Sequence, residues 1–328
     1  MNKKHEKSAC CRANVVGYGG RRRQCVLCRR TWSRWKKRRG RKKKRIDVYL
    51  VKKFLHRDVS SLAYLARKKD VSEAFVQSQL RKSRDSFTKK TSWPDVPRGN
   101  LILIADAVIE MIERKWRTVY LMLVRPVLSD TAVILPPLIL DGTETFDRWR
   151  KAIDTIPNRV LCSIRAIVCD GHKGLVGEGS WRHWIIQRCH FHLLARIQSR
   201  RSRFFTTRHK QEAEMIFNHV HVVLGHHDAR RIVRSLDALE EIGWLSTSPE
   251  IRKVLSGFVS NYGDYRSYLT YPKLNLPITN NTAESLASSI ADLKHRMRGF
   301  KTLHSFTSWI IALLKFKRAV KCRGYQQN

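Results

Sequence analysis

The spacing of hydrophobic side chains changes along this chain and divides it into segments of different secondary structure. From residue 46 to residue 87, apolar positions recur at helical spacing, and Ser60, Ser61 and Ser72 precede the second and third apolar stretches. Because a serine hydroxyl accepts hydrogen bonds from the free N–H groups that begin a helix, this pattern predicts three short helices within residues 46–90. Two prolines and a glycine then mark residues 91–99 as a linker.

Apolar runs typical of buried strands replace the helical pattern after the linker. We predict strands over residues 101–108, 118–127, 131–140, 165–170 and 184–189, and a helix over residues 143–156. This alternation predicts a mixed α/β sheet in residues 100–195. Helical spacing returns over residues 196–275, which we predict to be an all-helical insertion, and residues 276–328 should complete the sheet domain.

The charge of the chain is strongly one-sided. Its 65 lysines and arginines against 27 acidic residues give a formal net charge of +38. So large an excess points to a polyanion, most often nucleic acid, with an anionic membrane surface as the alternative. No apolar run is long enough to span a bilayer, so we expect double-stranded DNA as the partner and no membrane.

Polar and basic residues on the third predicted helix favour a helix-turn-helix. The outer face of this helix carries Gln77, Arg81 and Arg84. In a helix-turn-helix, the second helix of the pair enters the major groove of DNA. We therefore predict a DNA-binding domain over residues 46–90 in which these three side chains contact DNA. An ordinary small helical bundle is the alternative.

Four of the eight cysteines fall within the first 28 residues. The pair Cys25 and Cys28 places two thiolates at the spacing of a tetrahedral zinc site. Cys11 lies upstream at the distance typical of a zinc ribbon, whereas Ser8 occupies the place of the first ribbon ligand. We predict a structural Zn²⁺ in a basic, zinc-ribbon-like segment over residues 1–45, where a basic tail without metal is the alternative. The candidates for the fourth ligand are Cys10 and His5.

Three acidic residues stand at unusual positions for so basic a chain. Asp106 and Asp170 each end a predicted buried strand, and Glu284 lies early in a helix predicted after residues 279–282. A buried carboxylate is costly unless something compensates its charge. Carboxylates from separate segments can together bind divalent metal ions that activate a hydroxyl or water in phosphodiester chemistry. We therefore take these three acids as candidate catalytic residues and metal ligands; taken singly, each could be a surface loop or capping residue.

The stretches around these acids resemble the Mutator superfamily of DDE transposases, which includes bacterial insertion-sequence members. The resemblance covers roughly residues 100–315, and the family signature Cys-x2-His matches Cys189 and His192. Four stretches carry it: the strand with Asp106, residues 168–175 (VCDGHKGL), residues 187–192 (QRCHFH), and residues 279–284 (TNNTAE) through 298–301 (RGFK). It implies an RNase H-like fold with a helical insertion, and Mg²⁺- or Mn²⁺-dependent cleavage and strand transfer at transposon ends.

Further expectations follow for DNA binding and for the setting of the protein. Lys294, Arg296 and Arg298 follow Glu284 and are candidates for holding the phosphates beside the scissile bond, although a solvated helix face is the alternative. We expect a homo-oligomer on DNA and, in a prokaryotic host, a cytoplasmic, nucleoid-associated protein. Two other functions remain open: a DNA-binding regulator derived from a transposase, and an RNase H-like structure-specific nuclease.

Overall fold

The computed structural model of the chain describes residues 7–8, 10–18, 22–33, 49–56, 61–89, 93–198 and 207–325. The chain divides into two compact units, residues 1–47 and residues 48–328. His5, one candidate for the fourth zinc ligand, lies outside the described residues, as do residues 34–48 and residues 91–92 of the predicted linker.

The first unit contains a three-stranded antiparallel sheet. Its strands are β1 (Val15–Tyr18), β2 (Arg22–Cys25) and β3 (Thr31–Ser33), in that order. The pairing of β1 with β2 places Val15 opposite Cys25, whose side chain is fully buried. Cys28 lies in the turn between β2 and β3, so the Cys-x2-Cys pair sits on a tight turn.

The second unit is a mixed α/β structure built on a seven-stranded sheet. Its strands are β4 (Leu101–Ile112), β5 (Lys115–Pro126), β6 (Thr131–Ile134), β7 (Leu138–Asp141), β8 (Ile164–Cys169), β9 (Ile185–Arg188) and β10 (Ala319–Lys321). The order across the sheet is β10-β6-β5-β4-β8-β9, and β7 also pairs with β5. Because β4 is antiparallel to β5 but parallel to β8, the sheet is mixed, as the sequence predicted.

Helices cover both faces of this sheet and fill the region between β9 and the last part of the chain. In chain order they are α1 (Leu50–Leu55), α2 (Leu62–Lys68), α3 (Glu73–Thr88), α4 (Phe146–Ile153), α5 (Asn158–Leu161), α6 (Lys173–Trp181), α7 (His190–Gln198), α8 (Thr207–Gly225), α9 (Ala229–Leu245), α10 (Pro249–Val259), α11 (Tyr262–Tyr265), α12 (Ser267–Thr270), α13 (Asn281–Arg296) and α14 (Leu303–Lys317). Within the residues described between β9 and α13, the regular structure is helical. Among all described residues, no helix is long and apolar enough to cross a membrane.

Alternation along β4 explains how the two faces of the sheet are covered. Ile102 and Ile104 belong to a core that includes residues of α13 and α14. Leu103 and Ala105 point to the opposite face and pack in a core with residues of α4 and α6. Asp106 follows in the first of these two series, so the strand period places its side chain on the face that α13 covers.

The second and third helices before the sheet begin where their serines predicted. The Ser61 and Ser72 hydroxyls accept the N–H groups of Tyr64 and Phe75, which fixes the starts of α2 and α3. Residues of α1–α3 belong to the core that also contains α14. Their buried side chains therefore share a core with the sheet.

Two features of the predicted strands were wrong. Asp106 does not end its strand, because β4 continues to Ile112 and stays paired with β5 along its whole length. The single strand predicted over residues 131–140 is two strands, β6 and β7, separated by Pro136 and Pro137. Proline has no N–H group to donate, so two in succession interrupt a ladder.

Candidate active site

Three separate elements carry the candidate catalytic acids to the same side of the sheet. Parallel pairing between β4 and β8 ends at Ile104 and Val168, so Asp106 and Asp170 both lie just beyond it. Gly171 follows with a φ of +90°, a conformation that suits glycine and turns the chain away from the sheet. Glu284 lies in the first turn of α13, the helix that packs on β4.

The electrostatics of Asp106 show that these carboxylates influence one another. Burial is the main cause that raises the pKa of Asp106 from 3.8 to about 7, and the charges of Asp170, Glu284 and Glu144 raise it further. A hydrogen bond from the N–H of Ala107 to its Oδ1, 2.9 Å long, opposes this shift. Several negative charges therefore converge on a partly dry site.

Glu284 and Asp170 have different local partners. Burial raises the pKa of Glu284, with a smaller contribution from Asp170, while His192 lowers it. Oδ1 of Asp170 accepts the N–H of His172 at 2.8 Å, so this acid also stabilises the turn that leads into α6. Asp170 thus both stabilises this turn and lies near the other two acids.

The Cys-x2-His signature lies beside Glu284. The ligand-type atoms of Cys189, His192 and Glu284 all lie within 4.8 Å of one another. Nδ1 of His192 is 3.3 Å from Oε1 of Glu284, and Cys189 is fully buried. Burial raises the pKa of the Cys189 thiol to about 11, which favours the neutral thiol over the thiolate that binds metals.

Sequence reasoning missed Glu144, a further acid near Asp106. Its Oε2 accepts the indole N–H of Trp149 at 3.0 Å and lies 3.7 Å from Nδ1 of His172. Glu144 stands just before Thr145, the residue that caps α4, where an acid has an ordinary helix-capping explanation. Nothing in its spacing relative to the other acids distinguished it.

The residues at this site suit a divalent cation with oxygen ligands. Carboxylates are the ligands that Mg²⁺ prefers, and a cation would favour the charged form of Asp106. Oε1 of Glu284 is buried and, among the described residues, has no hydrogen-bond partner. A buried carboxylate oxygen that forms no hydrogen bond is suited to bind a cation.

The four cysteines near the N-terminus also form a cluster. The sulfur atoms of Cys10, Cys11, Cys25 and Cys28 all lie within 4.8 Å of one another, which makes Cys10 the fourth member. The Ser8 hydroxyl donates to the Cys25 sulfur at 3.3 Å. A backbone N–H group of Cys28 and this hydroxyl lower the pKa of Cys25 to about 6, whereas a hydrogen bond with Cys28 is the main cause raising that of Cys11 to about 12.

The structure separates the candidate DNA-contacting residues of α3. Gln77 and Arg81 are exposed. Arg84 is only 2% exposed, binds Asp85 through two nitrogens and packs over the ring of Trp309 at 5.4 Å. The guanidinium of Arg84 is used inside the protein, so Arg84 is poorly placed for the predicted DNA contact, which remains a prediction for Gln77 and Arg81.

The basic residues after Glu284 also differ in their availability. Lys294 forms an ion pair with Glu110 of β4 at 2.5 Å but remains 44% exposed. Arg296 binds Asp292 and donates to the carbonyl of Phe54, so it links α13 to α1, and its predicted phosphate contact remains a prediction. Arg298 lies exposed just beyond α13.

The family model described as "Transposase, Mutator family" matches residues 105–317, a span that contains all three candidate acids and the Cys-x2-His signature. No curated protein matches the chain.

Proposed function

Because this chain belongs to the Mutator family of transposases, we propose that it cleaves DNA at transposon ends and transfers the freed strands through Asp106, Asp170 and Glu284. The observation that supports the proposal is the placement of the three acids: Asp106 and Asp170 lie just beyond the parallel pairing of β4 and β8, and Glu284 lies in the first turn of α13, which packs on β4. Carboxylates that share a partly buried site repel one another and need a bound cation to remain ionised together. The sheet with its helical insertion is consistent with an RNase H-like fold.

Each acid has a defined part in this proposal. The three carboxylates would hold Mg²⁺ or Mn²⁺, and these ions supply activation of the attacking hydroxyl and stabilisation of the leaving oxygen. Asp106 would release its proton on becoming a ligand, since its pKa of about 7 lies near neutrality. Arg298 and Lys294 lie after Glu284 along the chain and supply positive charge for the phosphates flanking the scissile bond.

Recognition of the transposon ends is proposed for the N-terminal part of the chain. Exposed Gln77 and Arg81 lie on the third helix of a helix-turn-helix pattern. The four-cysteine cluster of the first unit supports a structural Zn²⁺ with Cys10, Cys11, Cys25 and Cys28 as ligands. Joining two ends in one complex requires at least two such binding modules, which a homo-oligomer provides.

The test uses the DNA that flanks the coding sequence. Inverted repeats found there are placed on a labelled duplex, and the purified full-length chain is assayed with Mg²⁺ for cleavage and for footprinting. We expect Asp106→Asn, Asp170→Asn and Glu284→Gln each to reduce cleavage by about a thousandfold or more, because each removes a ligand charge while leaving the footprint unchanged. Asp237→Asn, on the exposed surface of α9, is the matched control. Full cleavage by any one of the three active-site variants would refute the assignment of that acid.

A further inference from the structure

The position of Glu284 depends on how α13 begins. The N–H of Glu284 donates to the carbonyl of Asn280 at 3.2 Å, and Asn280 is fully buried at the N-terminal end of the helix. The side chain of Asn280 makes no capping hydrogen bond to α13. The start of this helix must therefore be fixed by other contacts.

Cys189 supplies one of these contacts. Its sulfur accepts the N–H of Asn280 at 3.4 Å, while the N–H of His190 donates to the carbonyl of Ile278 at 3.0 Å. These two bonds run in opposite directions and join the start of α7 to the start of α13. Cys189 is the residue immediately before α7, the position at which a capping side chain stands at the beginning of a helix.

The spacing of the signature follows from this cap. A residue three positions after a helix cap lies in the first turn, on the same side as the capping side chain. His192 stands at that position, and its Nδ1 lies 3.3 Å from Oε1 of Glu284. In the described structure these two atoms are near each other without forming a hydrogen bond, so a small rotation of either side chain would bring one about.

We propose that Cys189 and His192 are positioning residues for Glu284, an inference that rests on the proposed function. The Cys189 sulfur joins the starts of α7 and α13. The His192 imidazole orients the Glu284 carboxylate for the cation. In the Cys-x2-His signature, the cysteine then caps a helix and the histidine, one helical turn later, orients Glu284, so the signature is not half of a zinc site. The buried Cys189 sulfur already accepts the N–H of Asn280, which is a structural use of this atom.

The test compares side chains that preserve or lose the nitrogen at the Nδ1 position. Asparagine carries its amide nitrogen at the same distance along the side chain as Nδ1, whereas glutamine matches Nε2. Mn²⁺ binding to the full-length chain is measured by electron paramagnetic resonance, and cleavage by its kcat and KM for end DNA. Partners that orient a metal ligand typically contribute 10- to 100-fold in affinity. We expect His192→Ala and His192→Gln to weaken Mn²⁺ binding by about tenfold or more, and His192→Asn to remain within about threefold of wild type.

Cysteine variants separate a cap from a metal ligand. Serine is a strong capping residue but lacks a thiolate, so Cys189→Ser should keep Mn²⁺ binding and cleavage close to wild type, while Cys189→Ala should lose both. If Cys189→Ala fails to fold, the His192 series and Cys189→Ser still decide the matter. His227→Ala, exposed in the loop before α9, is the matched control.

The outcomes distinguish this proposal from the one on which it rests. Loss of activity in Cys189→Ser, or equal Mn²⁺ affinity in His192→Ala and wild type, would overturn the positioning roles. If Glu284→Gln itself cleaved DNA normally, the failure would lie in the proposed catalytic assignment instead. An unchanged KM for end DNA with a lower kcat in His192→Ala would support orientation of the carboxylate over a contribution to DNA binding.

Discussion

Replacing Asp106 by asparagine should make the folded protein more stable while abolishing its proposed chemistry. The side chain is mostly buried, and its pKa rises from 3.8 to about 7 on folding. A raised carboxyl pKa means that the folded chain binds the proton more tightly than the unfolded chain does. Stability is therefore greatest at low pH and falls as the pH rises from the unfolded pKa through the folded one, after which the loss stays constant.

The size of the effect follows from the two pKa values. Each pKa unit corresponds to about 1.4 kcal/mol, so a rise from 3.8 to about 7 corresponds to a penalty of about 4 kcal/mol at pH 8. Only about 2 kcal/mol of this penalty applies at pH 5, because Asp106 is then protonated in most folded molecules. Asparagine removes the charge and keeps an oxygen that can accept the N–H of Ala107.

Urea unfolding of the full-length chain at pH 5 and pH 8, without divalent cations, measures this difference. We expect the unfolding free energy of Asp106→Asn to exceed that of wild type by about 2 kcal/mol at pH 5 and about 4 kcal/mol at pH 8. The unfolding free energy of the exposed variant Asp237→Asn should stay within about 0.5 kcal/mol of wild type at both pH values. Saturating Mg²⁺ should reduce the difference in unfolding free energy between Asp106→Asn and wild type at pH 8, since the ion stabilises only the chain that binds it. An Asp106→Asn protein no more stable than wild type at pH 8 would refute the argument.

Two further predictions concern the N-terminal half of the chain. Purified protein should contain one zinc per chain, and Cys10→Ser, like a chelator, should lose it together with end binding, whereas Cys162→Ser should keep it; a zinc-containing Cys10→Ser protein would contradict a four-cysteine site. Arg84→Ala should lower the unfolding free energy by about 2 kcal/mol, because the buried guanidinium packs inside the protein. Arg81→Ala should leave the unfolding free energy within about 0.5 kcal/mol of wild type. It should weaken binding to the transposon ends and make that binding less dependent on salt. Weaker end binding by Arg84→Ala at unchanged stability would mean that Arg84 contacts DNA after all.

The sequence was most informative where local chemistry decides the structure. Ser61 and Ser72 cap helices as predicted, since capping depends on neighbours a few residues away. The mixed sheet followed from alternating apolar runs. The burial of the Arg84 side chain could not be predicted, because it depends on packing against Trp309, which lies far along the chain. Helix α14 and strand β10 were not predicted, because α14 is apolar over much of its length and β10 has only three residues.

Candidate site residues show the same division. Asp106 and Asp170 were found from their acidic character within apolar runs, but the length of β4 depends on its hairpin partner and was underestimated. Glu144 escaped notice because only the folded chain brings it near Asp106. Likewise, the spacing of the cysteines left the fourth zinc ligand open, and only the turn geometry brings the Cys10 sulfur to 3.3 Å from that of Cys28.

The bonds between the starts of α7 and α13 also bear on how the helical insertion can change in evolution. Since His190 binds Ile278 and Cys189 binds Asn280, the two ends of the insertion form a closed stem, and α11 and α12 also pack on β9. Closing a flexible loop costs free energy only as the logarithm of its length, about 0.6 kcal/mol for each doubling. Segments could therefore be gained, lost or exchanged in the region of α9 and α10 with little consequence for Glu284. A transposase built in this way can acquire new accessory surfaces while its three acids stay in register.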